Sequence, residues 1–162
     1  MSKPVNVWIV EDQQIEAIEA WRVILAVGDK FGATAVIHWA DKFDWPPKLR
    51  AQPDPRATAI TTAEYPDIVV LDLCEQTSKG EILRANVLYS ELRKWESHNP
   101  DGFPSFIIFW SIFRGRKDTD EFVKIADGSD TRVILVDSKR SEVLEPIVEN
   151  LWKRIIDDRE NA

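Results

Sequence analysis

The sequence has few of the residues that small proteins use for cross-links and structural metal sites. Only one of its 162 residues, Cys74, is a cysteine, so no internal disulfide can form. The two histidines, His38 and His98, lie far apart in the chain, which excludes a zinc site of ordinary ligand spacing. A chain of this length buries about 68–70 % of its surface without such staples. We therefore predict a single domain over residues 1–162, and the lone thiol favours a reducing, cytoplasmic location.

Long apolar runs and an excess of basic charge are also missing. The longest apolar stretch, residues 106–113, is interrupted by Ser111 and is too short to span a bilayer, and the first residues do not resemble a signal peptide. Lys and Arg number 21 against 28 Asp and Glu, a net charge of −7 that gives no attraction for nucleic acid. No glycine pair has the spacing of a phosphate-binding loop. We expect no membrane or nucleic-acid partner and no nucleotide enzyme of the phosphate-loop type.

What the sequence has is a series of short apolar runs that alternate with stretches of helical spacing. The runs predict five strands, at residues 5–10, 34–39, 66–74, 105–113 and 132–136. The third run is almost continuously apolar, which indicates burial on both faces, as in a parallel sheet. Apolar spacings of three and four predict helices over residues 15–28, 79–97, 120–126 and 144–155. The alternation predicts an α/β fold with a five-stranded parallel sheet covered by helices on both faces.

Residues 41–64 depart from this alternation. The segment contains four prolines, Pro46, Pro47, Pro53 and Pro55. We predict a partly irregular, proline-rich excursion with a helical part over residues 56–64, and not a domain boundary. Trp45 in this excursion either offers an aromatic anchor to a partner or packs onto the protein's own core.

Polar side chains stand where the predicted strands end. They are Glu11 and Asp12 after the first strand, Asp72 in the third, Ser111 in the fourth and Lys139 after the fifth. With strand order 2-1-3-4-5 these ends are neighbours, so the side chains converge on one pocket. Three carboxylates would repel one another without a cation, and an all-oxygen cluster suits Mg²⁺. A lysine and a hydroxyl would then bind phosphoryl oxygens while one carboxylate attacks phosphorus.

Taken singly, three of these residues have an ordinary alternative. Asp12 could cap the next helix, Ser111 could be a hydrogen-bonded strand serine, and Lys139 could be a solvated lysine. Asp72 differs, because a carboxylate within a buried strand is costly unless a cation or donors pair with it. The joint arrangement at successive strand ends favours a phosphoryl site.

With these residues the chain resembles, over essentially its whole length, the receiver domain of bacterial two-component response regulators. The matching pieces are Glu11-Asp12, Asp72, Gly80 eight residues later, Ser111 and Lys139. The resemblance implies a (βα)5 flavodoxin-like fold. It also implies a stand-alone response regulator in which Asp72 accepts a phosphoryl group from a histidine kinase or phosphotransfer protein. Such a domain is not an enzyme in the usual sense, because it only phosphorylates and dephosphorylates itself.

The resemblance also implies a role for each site residue. Asp12 would ligate Mg²⁺ directly and Glu11 through water, with Asp72 and the backbone carbonyl of Cys74 as further ligands. The other two residues, Ser111 and Lys139, would contact the phosphate. The signal would pass through protein contacts to an output protein that the sequence does not identify, and the oligomeric state, a homodimer included, stays open.

Several positions depart from the pattern of the receiver family. Glu75-Gln76 stands where Met-Pro is usual, Arg140 replaces the proline after the lysine, and Val136 occupies the aromatic switch position. The altered switch and the Trp and Pro content of residues 43–55 favour an alternative, a pseudo-receiver that binds partners without cycling phosphate. A third alternative, a phosphatase resembling the haloacid dehalogenase family, is disfavoured because Cys74 stands where that family has a second Asp.

Ile112 fills a position that is normally small in the receiver family. It follows Ser111 and is predicted to border the approach to Asp72, where a β-branched side chain moves aside with difficulty. We expect slow phosphorylation by small donors and a long-lived acyl phosphate. The alternative is that Ile112 points into the core.

Overall fold

The computed structural model describes residues 3–60, 64–99, 102–112, 124 and 128–162. In this part of the chain the strands are β1 (Val5–Val10), β2 (Ala35–Ala40), β3 (Ile68–Leu71), β4 (Cys74–Thr77), β5 (Gly80–Leu83), β6 (Phe106–Ser111) and β7 (Val133–Asp137). The helices are α1 (Gln14–Lys30), α2 (Ala85–Ser97) and α3 (Ser141–Glu160).

Five of the strands form one parallel sheet in the order β2-β1-β3-β6-β7. Its register places Val10 of β1 beside Ala40 of β2 and Leu71 of β3, and Leu71 beside Phe109 of β6. Every residue of the three central strands is buried, as the continuous apolar runs predict. The predicted α/β class and the five-stranded parallel sheet are confirmed. The carboxyl ends of the strands meet at one edge of this sheet.

Two hydrophobic clusters lie on the two faces of the sheet. On one face α1 and α3 pack together and bury Ile24 and Trp152 completely. On the other face α2 contributes Leu88 and Leu92, and the proline-rich excursion adds Phe43. Alternate residues of each strand serve the two clusters, which is the two-residue period of a strand buried on both faces.

The predicted helix over residues 79–97 is wrong in its first part. Residues 79–83 belong to an antiparallel hairpin of β4 and β5, in which Thr77 lies opposite Gly80. Gly80 has a φ of 105°, in the region that favours glycine, and the Thr77 hydroxyl donates to the Gly80 carbonyl at 2.7 Å. This tight turn joins β4 to β5, and the helix begins only after β5, at Ala85. The hairpin also shortens the third predicted strand, which ends at Leu71.

The excursion is irregular as predicted, but in the described residues of 56–64 there is no helix. Arg50 instead forms isolated antiparallel bridges with Trp39 and Ala59. The backbone N–H groups of Arg50 and Trp39 each donate to the other residue's carbonyl, at 2.8 and 2.9 Å. Prolines remove the backbone donors that a helix needs, which leaves such long-range pairs as the partners of this segment.

Trp45 of the excursion is half-buried and packs against the second hydrophobic cluster. Its ring lies 6.5 Å from the ring of Trp8, measured between centroids, with the two planes tilted by 49°. This packing supports the second of the two predicted roles of Trp45, a contact with the protein's own core.

The remaining expectations concern a short helix, membrane-spanning helices, the location of the protein and the number of domains. The predicted short helix over residues 120–126 lies almost entirely outside the described residues. Among the described helices none combines the length and apolar character needed to cross a bilayer. The cytoplasmic location and the single domain over residues 1–162 stay predictions.

Candidate functional site

A cleft of about 350 Å³ opens where the strands of the parallel sheet end. Its lining residues are Asp12, Gln13, Glu16, Asp72, Cys74, Gln76, Glu81, Ser111, Ile112 and Lys139. Five of the six site residues predicted from the sequence are in this lining. The sixth, Glu11, contacts Lys139 and is only 2 % exposed. The structure therefore brings all six predicted residues together.

Three carboxylates meet in the cleft. One oxygen each from Glu11, Asp12 and Asp72 lies within 4.8 Å of the other two. The pairing of β1 with β3 brings this about, because the Asp72 N–H donates to the Val10 carbonyl at 3.0 Å and so sets the strand ends side by side. An all-oxygen set at this spacing could hold a hard divalent cation such as Mg²⁺.

Lys139 is the basic side chain of the cleft lining. Its ammonium donates to Glu11 Oε2 and lies 3.0 Å from Glu16 Oε2 and 3.7 Å from Asp72 Oδ2. It also lies 4.7 Å from the centroid of the Trp110 ring. Burial alone would lower the pKa of Lys139, but the neighbouring carboxylates raise it above its ordinary value. The lysine is therefore a fixed positive charge within an acidic cleft.

The two inner carboxyl groups have raised pKa values. Burial is the main cause for Glu11, and the charge of Asp72 adds to it while Lys139 opposes it. Burial also raises the pKa of Asp72, against the effect of Lys139 and a hydrogen bond from Ser111. A cation bound between the carboxylates would favour their charged forms, so the donor set fits a divalent ion.

Asp12 is held by the hairpin and does not cap α1. The backbone N–H of Gln76 in β4 donates to Asp12 Oδ2 at 2.6 Å. The residue at the N-cap position is Gln13, whose side chain makes no capping hydrogen bond. The alternative role of Asp12 as a helix cap is therefore wrong.

Backbone donors orient the other two carboxylates. The N–H of Gln13 donates to Glu11 Oε1 at 3.0 Å, and the N–H of Leu73 donates to Asp72 Oδ1 at 2.8 Å. Such charge-assisted bonds fix the direction in which each carboxylate presents its remaining oxygen.

Cys74 begins β4, two residues before Gln76. Alternate residues of a strand direct their backbone groups to the same side, so Cys74 presents its N–H and C=O on the side from which the Gln76 amide reaches Asp12. This placement is compatible with the role that the family resemblance implies for the Cys74 carbonyl.

Ser111 and Ile112 close the cleft at the end of β6. Ser111 is 7 % exposed, and its hydroxyl lies near enough to Asp72 to oppose the effect of burial on the pKa of that carboxyl. Ile112 is 65 % exposed and lines the cleft. The alternative in which Ile112 points into the core is therefore wrong, and the residue stands where it can restrict the approach to Asp72.

Sequence reasoning missed four residues of the cleft: Gln13, Glu16, Gln76 and Glu81. Glu16 follows Asp12 by four positions, a spacing that could have placed it on the same side of the helix start. Gln76 and Glu81 face each other across the hairpin, which the helical spacing of the following residues concealed.

Compared with known proteins, the sequence matches no family model and none of the curated proteins.

Proposed function

We propose that this protein is a receiver-like domain that accepts a phosphoryl group on Asp72 and signals through protein contacts. The observation that supports it most is the meeting of Glu11, Asp12, Asp72 and Lys139 at the ends of neighbouring parallel strands. Ser111, beside Asp72, supplies the hydroxyl that such a site needs.

The proposal includes the (βα)5 flavodoxin-like fold. The order β2-β1-β3-β6-β7 supports it, because the strands of the parallel sheet, numbered along the chain, then follow 2-1-3-4-5. In open sheets of this order, ligands bind where the strand order reverses, at the carboxyl ends. The cleft lies at that edge.

In the proposed reaction, an oxygen of Asp72 attacks the phosphorus of a phosphohistidine on a partner protein. The new O–P bond forms as the N–P bond breaks, and the electron pair leaves with the imidazole nitrogen. Lys139 and the Ser111 hydroxyl would bind the oxygens of the transferred group. Glu11, Asp12, Asp72 and the Cys74 carbonyl would hold Mg²⁺, which when bound neutralises negative charge on the carboxylates and the phosphoryl group.

A pseudo-receiver remains the second candidate. Every carboxylate of the triad already has a donor, from Lys139 or from a backbone N–H, without phosphate or metal. A module that only binds partners would need no more than this. In the leading proposal a histidine kinase or phosphotransfer protein is the phosphoryl donor, and an output protein receives the signal.

Intact mass spectrometry after incubation with acetyl phosphate and Mg²⁺ tests the proposal. The wild-type protein should gain one base-labile phosphoryl group, and Asp72→Asn should gain none. Asp44→Asn, at an exposed position in the excursion, is the matched control and should behave as wild type. If the wild-type protein gains no phosphoryl group from small donors or from a panel of histidine kinases, the pseudo-receiver is the better description.

A further inference from the structure

Glu16 is a carboxylate that the proposed reaction does not use, yet it contacts the lysine of the site. It lies in the first turn of α1, and its Oε2 is 3.0 Å from the Lys139 ammonium. Asp72 Oδ2 is farther away, at 3.7 Å. The ammonium is therefore closer to Glu16 than to the proposed phosphoacceptor.

The Glu16 carboxylate is exposed enough to remain charged without this ion pair. The Glu16 side chain is 36 % exposed, whereas that of Glu11 is 2 % exposed and needs the lysine as a partner. Water can solvate a carboxylate as exposed as Glu16, so removing its charge leaves no buried group without compensation. The main effect of the contact between Glu16 and Lys139 is therefore on the position of the lysine.

We propose that Glu16 is a positioning residue that holds Lys139 in a resting place and slows the phosphorylation of Asp72. This inference rests on the proposed function. Oxygens of a phosphoryl group on Asp72 would compete with Glu16 for the Lys139 ammonium, which lies 3.0 Å from Glu16 and 3.7 Å from Asp72. The Glu16 carboxylate also adds negative charge to the cleft, which repels the anionic phosphodonor. Both effects act in the same direction.

Glu16→Gln removes the charge and keeps the shape of the side chain. We expect acetyl phosphate to phosphorylate this variant roughly two- to fivefold faster than wild type, the size expected for an ion pair with one solvated partner. The difference should shrink at high ionic strength, because salt screens the charge of a half-exposed carboxylate. A purely structural role would give no such salt dependence.

The experiment follows the phosphorylation rate by intact mass in wild type, Glu16→Gln and Glu19→Gln, at low and high salt, with unfolding midpoints measured alongside. Glu19 lies on the same helix and pairs with Arg22 at 3.0 Å, so Glu19→Gln removes the same charge away from the cleft. Faster phosphorylation of Glu16→Gln alone, reduced by salt, supports the inference. Equal or slower phosphorylation of a folded Glu16→Gln, with wild type reactive, overturns the inference and leaves the proposed function standing. If neither protein gains phosphate on Asp72, both fail.

Discussion

The backbone N–H of Gln76 lies 2.6 Å from Oδ2 of Asp12, although 64 positions separate the two residues in the chain. The contact ties the hairpin of β4 and β5 to the end of β1. Because the donor is a backbone group, its direction is set by the hairpin and not by a side-chain rotamer. The orientation of the Asp12 carboxylate therefore depends on the hairpin of β4 and β5, which forms a separate two-stranded sheet and is not part of the parallel sheet.

Gln76→Pro removes this donor, and we expect it to weaken Mg²⁺ binding by about 10–100-fold, as loss of a group that orients a metal ligand commonly does. Gln76→Ala keeps the N–H and is the matched control, with an affinity near that of wild type. Titration of the tryptophan fluorescence with Mg²⁺ measures both variants, and circular dichroism checks that the proline variant is folded. Equal affinities of two folded variants would show that the N–H does not position Asp12.

Asp12→Ala should abolish saturable Mg²⁺ binding, because it removes one of the three oxygens that lie within 4.8 Å of one another. The Trp110 ring, 4.7 Å from the Lys139 ammonium, is placed to report a change of charge in the cleft by its fluorescence. Asp44→Ala, at an exposed position outside the cleft, should bind as wild type does. Unchanged affinity in Asp12→Ala would contradict the proposed metal site.

Ile112→Ala should speed both the phosphorylation of Asp72 by acetyl phosphate and the hydrolysis of the acyl phosphate. The side chain is 65 % exposed at the cleft, so its truncation opens the approach and changes the free energy of unfolding by only about 0.5 kcal/mol or less. The control is Ile107→Ala, fully buried in β6, the strand that Ile112 follows, which should cost about 2–5 kcal/mol of stability. Wild-type rates in a folded Ile112→Ala variant would exclude a gating role.

Asp130 should make stability depend on pH. Burial opposes its charge, but hydrogen bonds from Tyr89 at 2.7 Å, from Arg93 at 2.8 Å and from the Arg132 N–H hold the pKa of Asp130 below its ordinary value. A carboxyl whose pKa is lower in the folded state stabilises the fold above its unfolded pKa of about 3.9, and this stabilisation is lost as the pH falls through the folded value.

Asp130→Asn should therefore lower the free energy of unfolding by about 1–2 kcal/mol at pH 7, the size expected for hydrogen bonds to a charged group. The difference from wild type should shrink below about pH 4, where the wild-type carboxyl also takes up a proton. Urea unfolding at a series of pH values measures this, with Asp44→Asn as a control of equal charge change. A pH-independent difference would assign the effect to packing and not to ionisation.

The sequence predicts the parallel sheet and most of the cleft for one shared reason. Strands buried on both faces show as continuous apolar runs, and a polar residue just beyond such a run, as Asp72 is beyond β3, must lie at the edge of the sheet. Glu11, Asp12 and Lys139 follow from the same reasoning once the strands are ordered. The positions of these residues relative to the strands were therefore enough to predict most of the cleft.

The parts that sequence reasoning missed depend on contacts between distant residues or on backbone conformation. The bridge between Arg50 and Trp39 could not be predicted, because nothing in the sequence around either residue indicates that the other is its partner. The hairpin was hidden because its second strand runs directly into the helical spacing of α2, and only the turn glycine, Gly80, distinguishes the two. Glu16 was missed because a glutamate in a first helical turn is ordinary on a solvated face.

The bridge from Arg50 to Trp39 also bears on how copies of this protein avoid one another. β2 lies at the margin of the sheet, and a bare strand margin offers unpaired backbone groups to any extended chain, including a second copy. The backbone N–H and C=O of Arg50 pair with the C=O and N–H of Trp39. Pro47 and Pro53, on either side of Arg50, have no N–H and so limit the addition of further ladder bonds. At Trp39 the excursion thus occupies the backbone groups that an added strand would pair with. Replacing both prolines with residues that carry an N–H should raise the tendency of the folded protein to aggregate.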